Sequence, residues 1–262
     1  MAKQREQAVQ LKNQVQALEE ELAQLHSNNQ IIWGLLVQIG NRLQRSSTAI
    51  KTAVSSLLDY DIFWDEATQY EFLQAIDNSN DELANFIVLI TLAFRSQSQT
   101  LEINIEPNVL QEILATLQIS LAKNNPQIQF DIRYPSVGRP ALVDYHYLLL
   151  ALSLVAEVIL SEEKEKVVFS VIATEDIEYW RLQLSHQNSS LINIIRQFLE
   201  QADDIASIVD KILPENALKL MTACRILHLQ RITLCQQTPS SEPPSVCIQI
   251  PIDIKSVQHE QL

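Results

Sequence analysis

Residues able to do chemistry are few and scattered in this 262-residue chain. His26, His146, His186, His228 and His259 show no HExxH pattern and no His/Cys spacing suited to a metal ion. Cys224, Cys235 and Cys247 are odd in number and form no CxxC pair, so three ordinary reduced core thiols are expected. His186, close to Asp176 and Ser185, could suggest a nucleophilic triad, but no G-x-S-x-G turn accompanies it and chance proximity is preferred. Glycine is the informative type. There are 3 in the chain, and none follows Gly138. A loop that cradles phosphate needs glycine so that the backbone can take positive φ and approach the anion. The C-terminal half lacks that material, and neither a cofactor nor a metal is expected.

The balance of 47% hydrophobic and 19% charged residues is that of a globular protein rather than a disordered one. A formal charge of −13 argues against nucleic acid as the partner, because phosphate neutralisation needs clustered Lys and Arg. The longest apolar run, 147–160, is too short to span a bilayer, contains Glu157 and reads as a buried helix. The first thirty residues are polar and helical, with no signal peptide, so a cytoplasmic location is expected. The mixed-charge run 162–166 reads as a solvated turn.

The elements that must position any site begin with a long heptad. Leu11, Val15, Leu18, Leu22, Leu25, Asn29, Ile32, Leu36, Ile39 and Leu43 step alternately by four and three, with Asn29 at an a position. This pattern predicts a parallel coiled-coil homodimer, with Leu18, Leu22, Leu25, Asn29, Ile32, Leu36, Ile39 and Leu43 as its seam. Asp65 is a plausible N-cap for a second helix. Phe72, Ala75, Ile76, Leu83, Phe86, Ile87, Ile90 and Phe94 give that helix an apolar face. Two such hairpins paired along the seam make a four-helix bundle. Phe63 and Trp64, at the hairpin turn, read as bundle caps, and Trp33 as a candidate partner contact.

Beyond residue 100 strands and helices mix. Strands are expected over 101–105, 127–134, 167–173, 179–184, 231–236 and 246–252. Helices are expected over 109–122, 144–160, 190–213 and 217–229. The fold class is α+β: a parallel coiled coil running into a helical hairpin, then a layered α/β domain. The domains divide as 1–30 stalk, 31–98 hairpin, 99–255 α/β domain and 256–262 tail.

Several local strings, in order, resemble the sensor histidine kinases, whose first helix carries a string close to SHELRTPLTAI. Residues 40–50 read GNRLQRSSTAI, with Leu43, Thr48, Ala49 and Ile50 in register. Residues 101–113 resemble that family's entry into its ATP-binding domain. Residues 143–156 resemble its asparagine-bearing helix, and 247–252 its last strand. The similarity covers about residues 31 to 254 and implies a dimerisation hairpin followed by an α/β-sandwich ATPase-like domain.

The same resemblance implies lost chemistry. Asn41 stands at the phosphoacceptor position, and an amide nitrogen with a delocalised lone pair cannot accept phosphorus as imidazole does. Arg42 replaces the adjacent acid, Ser46 the proline, and Arg45 the residue that would position water. Ala156 stands for the magnesium-holding asparagine. Ser185, His186, Gln187 and Asn188 stand where a DxGxG loop would read adenine. Residues 217–220 lack the glycines of the phosphate loop, and the amphipathic stretch 190–213 is expected to replace the lid and pack onto the pocket.

The resulting expectation is a non-catalytic pseudokinase that dimerises and binds a response regulator or partner histidine kinase through Asn41, Arg42, Gln44 and Arg45. The alternatives are a structural adaptor that uses both domains as protein-binding modules, and a weak enzyme or nucleotide sensor.

Overall fold

The structure is a computed structural model. It describes all residues except 1, 59–64, 99, 162–167, 187–188, 201–211, 236–244 and 254–262; the side chains of much of 2–32, of 189–191 and of 198–200 also lie outside the description. The expected caps Phe63 and Trp64, and the second half of the amphipathic stretch 190–213, therefore lie outside the described residues. Two compact units divide inside the second helix, between Leu83 and Ala84. The boundary expected at residues 98–99 directly follows that helix's C-terminal end at Gln97.

In the first unit α1 (Ala2–Leu58) is one uninterrupted helix, as the long heptad requires. The following helix α2 (Glu66–Gln97) starts where Asp65 Oδ1 accepts a hydrogen bond from Thr68 N at 2.8 Å. Ser46 of α1 donates to Glu82 of α2, which ties the two helices as a hairpin. On α1 the buried residues step through Leu35, Ile39, Ser46 and Ala53, with Leu36, Leu43 and Ile50 half-buried. Ile39 is thus buried within a single chain, together with Leu35, which the heptad leaves off its seam. Leu18 is exposed, and the side chains of Leu22, Leu25, Asn29 and Ile32 lie outside the described residues.

The second unit opens with the end of α2, where Arg225 Nε donates to the carbonyl of the buried Ser96. Next come β1 (Glu106–Asn108), α3 (Leu110–Asn124), β2 (Gln129–Arg133), β3 (Ala141–Val143) and α4 (Tyr145–Leu160). The chain continues through β4 (Val168–Glu175), β5 (Tyr179–His186), α5 (Ser189–Glu200), α6 (Pro214–Leu229), β6 (Thr233–Leu234) and β7 (Ser245–Pro251). Five strands form one sheet in the order β2-β4-β5-β7-β6, parallel between β2 and β4 and antiparallel elsewhere; β1 and β3 make a separate antiparallel ribbon.

Alternation decides the faces of the large sheet. Trp180, Leu182, Leu184 and His186 of β5 are buried, as are Phe169 and Val171 of β4 and Ile248 and Ile250 of β7. Leu110, Ile113, Leu114, Leu117 and Leu121 of α3 join the core, with most of α4. The expected strand at 101–105 is not one: ladder pairing starts at Glu106. Asn104 N instead donates to the Asp144 carboxylate at 2.9 Å, so a side chain takes the hydrogen bond a strand partner would. Pro107 is tolerated because β1 pairs on one side alone.

The expectation of three free thiols is overturned. Cys235 and Cys247 form a disulfide, their Cα atoms 5.2 Å apart, and Cys224 alone is free. The cause is register: Cys235 N donates to the Cys247 carbonyl at 3.0 Å, extending the β6–β7 ladder so that the two side chains meet. Among the described residues no helix is long and apolar enough to cross a membrane.

Candidate functional site

On α1, Asn41, Arg42, Gln44 and Arg45 are all exposed. Spacings of three and four residues put Asn41, Gln44 and Arg45 on one helical face. Arg42 is drawn elsewhere. Its Nε donates to Glu82 Oε1 at 2.9 Å, its Nη2 lies 2.9 Å from the same oxygen, and Ser46 Oγ donates to Oε2 at 2.6 Å. The two arginines expected to act together are therefore unequal: Arg42 is paired across the hairpin by a carboxylate. Glu82 was missed because nothing local distinguishes it from Asp81, and only the hairpin's register selects it.

The α/β unit holds the second candidate region. Asp144 caps α4 with Oδ1 on Tyr147 N at 3.0 Å, while its own N–H donates to Gln230 Oε1 at 2.8 Å. This anchors α4 at its start and ties it to the end of α6. Ala156 lies in the wholly buried part of α4 and presents a methyl group with no oxygen or nitrogen to hold a cation.

One position further on, Glu157 receives Lys219 Nζ at 3.1 Å, and Glu215 receives the same ammonium at 3.0 Å. Asn216 Nδ2 donates to Ser161 Oγ at 2.9 Å. The C-terminal half of α4 and the first turn of α6 are thus bridged by side chains. Two carboxylates against one ammonium leave the bridge net negative. Burial opposes the Lys219 charge, but the carboxylates outweigh it and hold its pKa above the ordinary value.

The N-terminus of α6 is also a poor seat for an anion. Pro214 has no N–H, Glu215 already supplies negative charge in the first turn, and Asn216, Ala217 and Leu218 are buried. Helix α5 packs against β7, β5 and α4, with Ile192 and Ile195 fully buried.

Ser185 and His186 are in strand β5 rather than in a loop. Alternation turns Ser185 to the face opposite Leu184 and His186, so the inward residue there is His186. Gln187 and Asn188 lie outside the described residues. Asp176 sits at the turn end of the β4–β5 hairpin, whereas His186 pairs with Phe169 at its other end. A strand length of roughly 20 Å separates the members of the triad weighed from sequence, so they cannot form one. Among the described residues no group of three His, Cys, Asp or Glu side chains could hold a metal ion.

A helical hairpin leading into a five-stranded α/β sandwich is the histidine-kinase-like fold, a dimerisation-type hairpin with an ATPase-like domain. The Acinetobacter baumannii histidine kinase AdeS shares it with a TM-score of 0.55 at 13% identity, over 81% of this chain and 97% of that one. Full-length ShkA, solved in complex with AMPPNP, matches with a TM-score of 0.50 at 9% identity, over 82% of this chain and 46% of that one. No family model matches the sequence, and no curated protein sequence is similar to it.

Proposed function

We propose that this chain is a non-catalytic, histidine-kinase-like protein of two-component signalling, a cytoplasmic homodimer that binds a response regulator or partner kinase without transferring phosphate. The observation that carries this reading is the side-chain bridge between α4 and α6, where Lys219 is held by Glu157 and Glu215 and Asn216 by Ser161. A triphosphate entering there would meet net negative charge and no glycine backbone. Asn41, exposed on α1, supports the same conclusion from the acceptor side.

Dimerisation is supported by apolar side chains that the single chain leaves in solvent. Trp33, Val37, Val54 and Leu58 on α1 are exposed, as are Tyr70 and Leu73 on α2. Regulator docking is assigned to the face of Asn41, Gln44 and Arg45, with Arg45 as the cation that meets an acidic receiver pocket. Arg45→Glu should reduce capture of the cognate receiver domain about tenfold or more, most strongly at low salt, while sedimentation still gives the dimer. Unchanged capture would remove this docking face. The chain should also take no label from γ-³²P-ATP, alone or with the receiver present; incorporated label would contradict the non-catalytic reading.

The adaptor reading is favoured by one feature. Val137 and Ile177 are among the most exposed apolar residues, at 86% and 79%, and Arg139, two residues after Val137, bonds Glu175 and the carbonyls of Asp176 and Ile177 in the β4–β5 turn. Co-purification from the native cell separates the readings, since the receiver-binding reading alone requires a receiver-domain protein among the captured partners.

A further inference from the structure

We propose that Cys235 and Cys247 form a reversible thiol–disulfide latch, which fixes the β6 edge of the large sheet when oxidised and releases it when reduced. This goes beyond the proposed signalling role and stands on the edge's own geometry. Strand β6 has two residues, and its ladder partners on β7 are Gln249 and Ile248 alone. It is reached from α6 through Arg231, which holds φ at 59°, a left-handed conformation that an L side chain adopts at a cost. That turn is closed by Arg231 N on the His228 carbonyl at 2.9 Å and Ile232 N on the Leu227 carbonyl at 3.0 Å. So short a ladder, hung on an unfavourable turn, has little of its own to keep it in register. The covalent link supplies the constraint.

The core does not depend on that link. Strand β7 is paired with β5 from Ser245 to Pro251, and its Val246, Ile248 and Ile250 are buried. Opening the edge leaves the β5–β7 pairing in place, which makes release a local event. The two sulfurs are unequal in access, Cys235 half-buried and Cys247 4% exposed. An external thiolate attacks the Cys235 sulfur, forming a mixed disulfide while the intramolecular S–S bond breaks and Cys247 leaves as a thiolate that takes up a proton. A second external thiolate attacks the mixed disulfide, forms the external disulfide and frees Cys235, which is protonated in turn. Two electrons and two protons pass from two thiols to the protein. Cys224 takes no part: burial pushes its thiol up to about 12, which keeps it protonated and unreactive.

The test is a titration of the full chain with mixtures of reduced and oxidised glutathione, quenched by alkylation and read by mass spectrometry, with amide exchange measured on the end states. Cys224→Ser should leave the titration unchanged. Reduction should be reversible and should speed amide exchange at Thr233, Leu234 and Cys235 about tenfold or more, with α4 and β5 unaltered. Cys235→Ser should reproduce the reduced pattern without any thiol reagent. A bond that stays closed in every mixture would overturn the proposal. So would reduction that speeds exchange in α4 and β5 as much as in β6, since either result makes the link a structural staple.

Discussion

Gly138 has no room for a β-carbon, because one built there would lie 2.3 Å from Cζ2 and 2.4 Å from Cη2 of the fully buried Trp180. That ring is fixed by its Nε1 donating to the Arg139 carbonyl at 2.9 Å, so it cannot step aside. Gly138→Ala should destabilise the chain by about 1–3 kcal/mol, read as a lowered denaturation midpoint. A second residue-scale prediction concerns Lys219, whose pKa is held above 10.5. A raised folded-state pKa means its contribution is complete below the unfolded lysine value and is lost as pH rises through the folded one. Lys219→Met, which strands two carboxylates, should cost about 1–3 kcal/mol near neutrality. That difference should persist to about pH 10 and shrink above it, as followed by urea unfolding across pH. A difference that shrinks on going from pH 7 to 9 would contradict this assignment. At this scale the sequence was legible where the partner lies close along the chain, as with Asp65 capping α2 through Thr68 N. It was not legible where a partner comes from far along the chain, as with Glu82 for Arg42 or Cys247 for Cys235.

The elements were read more fully than the contacts. Helices α1, α3, α4 and α6 and the β4–β5 hairpin lie within a few residues of their expected spans, because amphipathic spacing and alternation are local properties. The strand expected at 101–105 failed for a nonlocal reason, since Asp144 of the α4 cap takes the backbone donor at Asn104. Asp144 thereby serves two elements, with Oδ1 on Tyr147 N and Oδ2 on Asn104 N. Asp144→Ala should cost about 1–3 kcal/mol and raise amide exchange at both Asn104 and the first turn of α4. Exchange that rises at α4 alone would show the second bond to carry little. The heptad illustrates a different limit. Periodicity shows that an apolar stripe exists, but it cannot say which part is covered by the chain's own second helix, and Ile39 is buried without any second chain.

For the molecule as a whole, the order of hairpin and sandwich was legible because each half has its own period of hydrophobicity, 3.5 residues in one and mixed in the other. The remaining apolar surface on α1 and α2 bears on assembly. Trp33→Glu with Val37→Glu should shift the chain toward monomer in sedimentation while its helix content is retained. A dimer that survives would place the interface elsewhere. The account rests most heavily on the claim that the α4–α6 bridge, with α5 packed over the sheet, leaves no seat for a nucleotide triphosphate. Calorimetric titration of the 262-residue chain with magnesium and ATP addresses it directly. No saturable heat is the result expected, whereas saturable binding in the micromolar range would contradict the account.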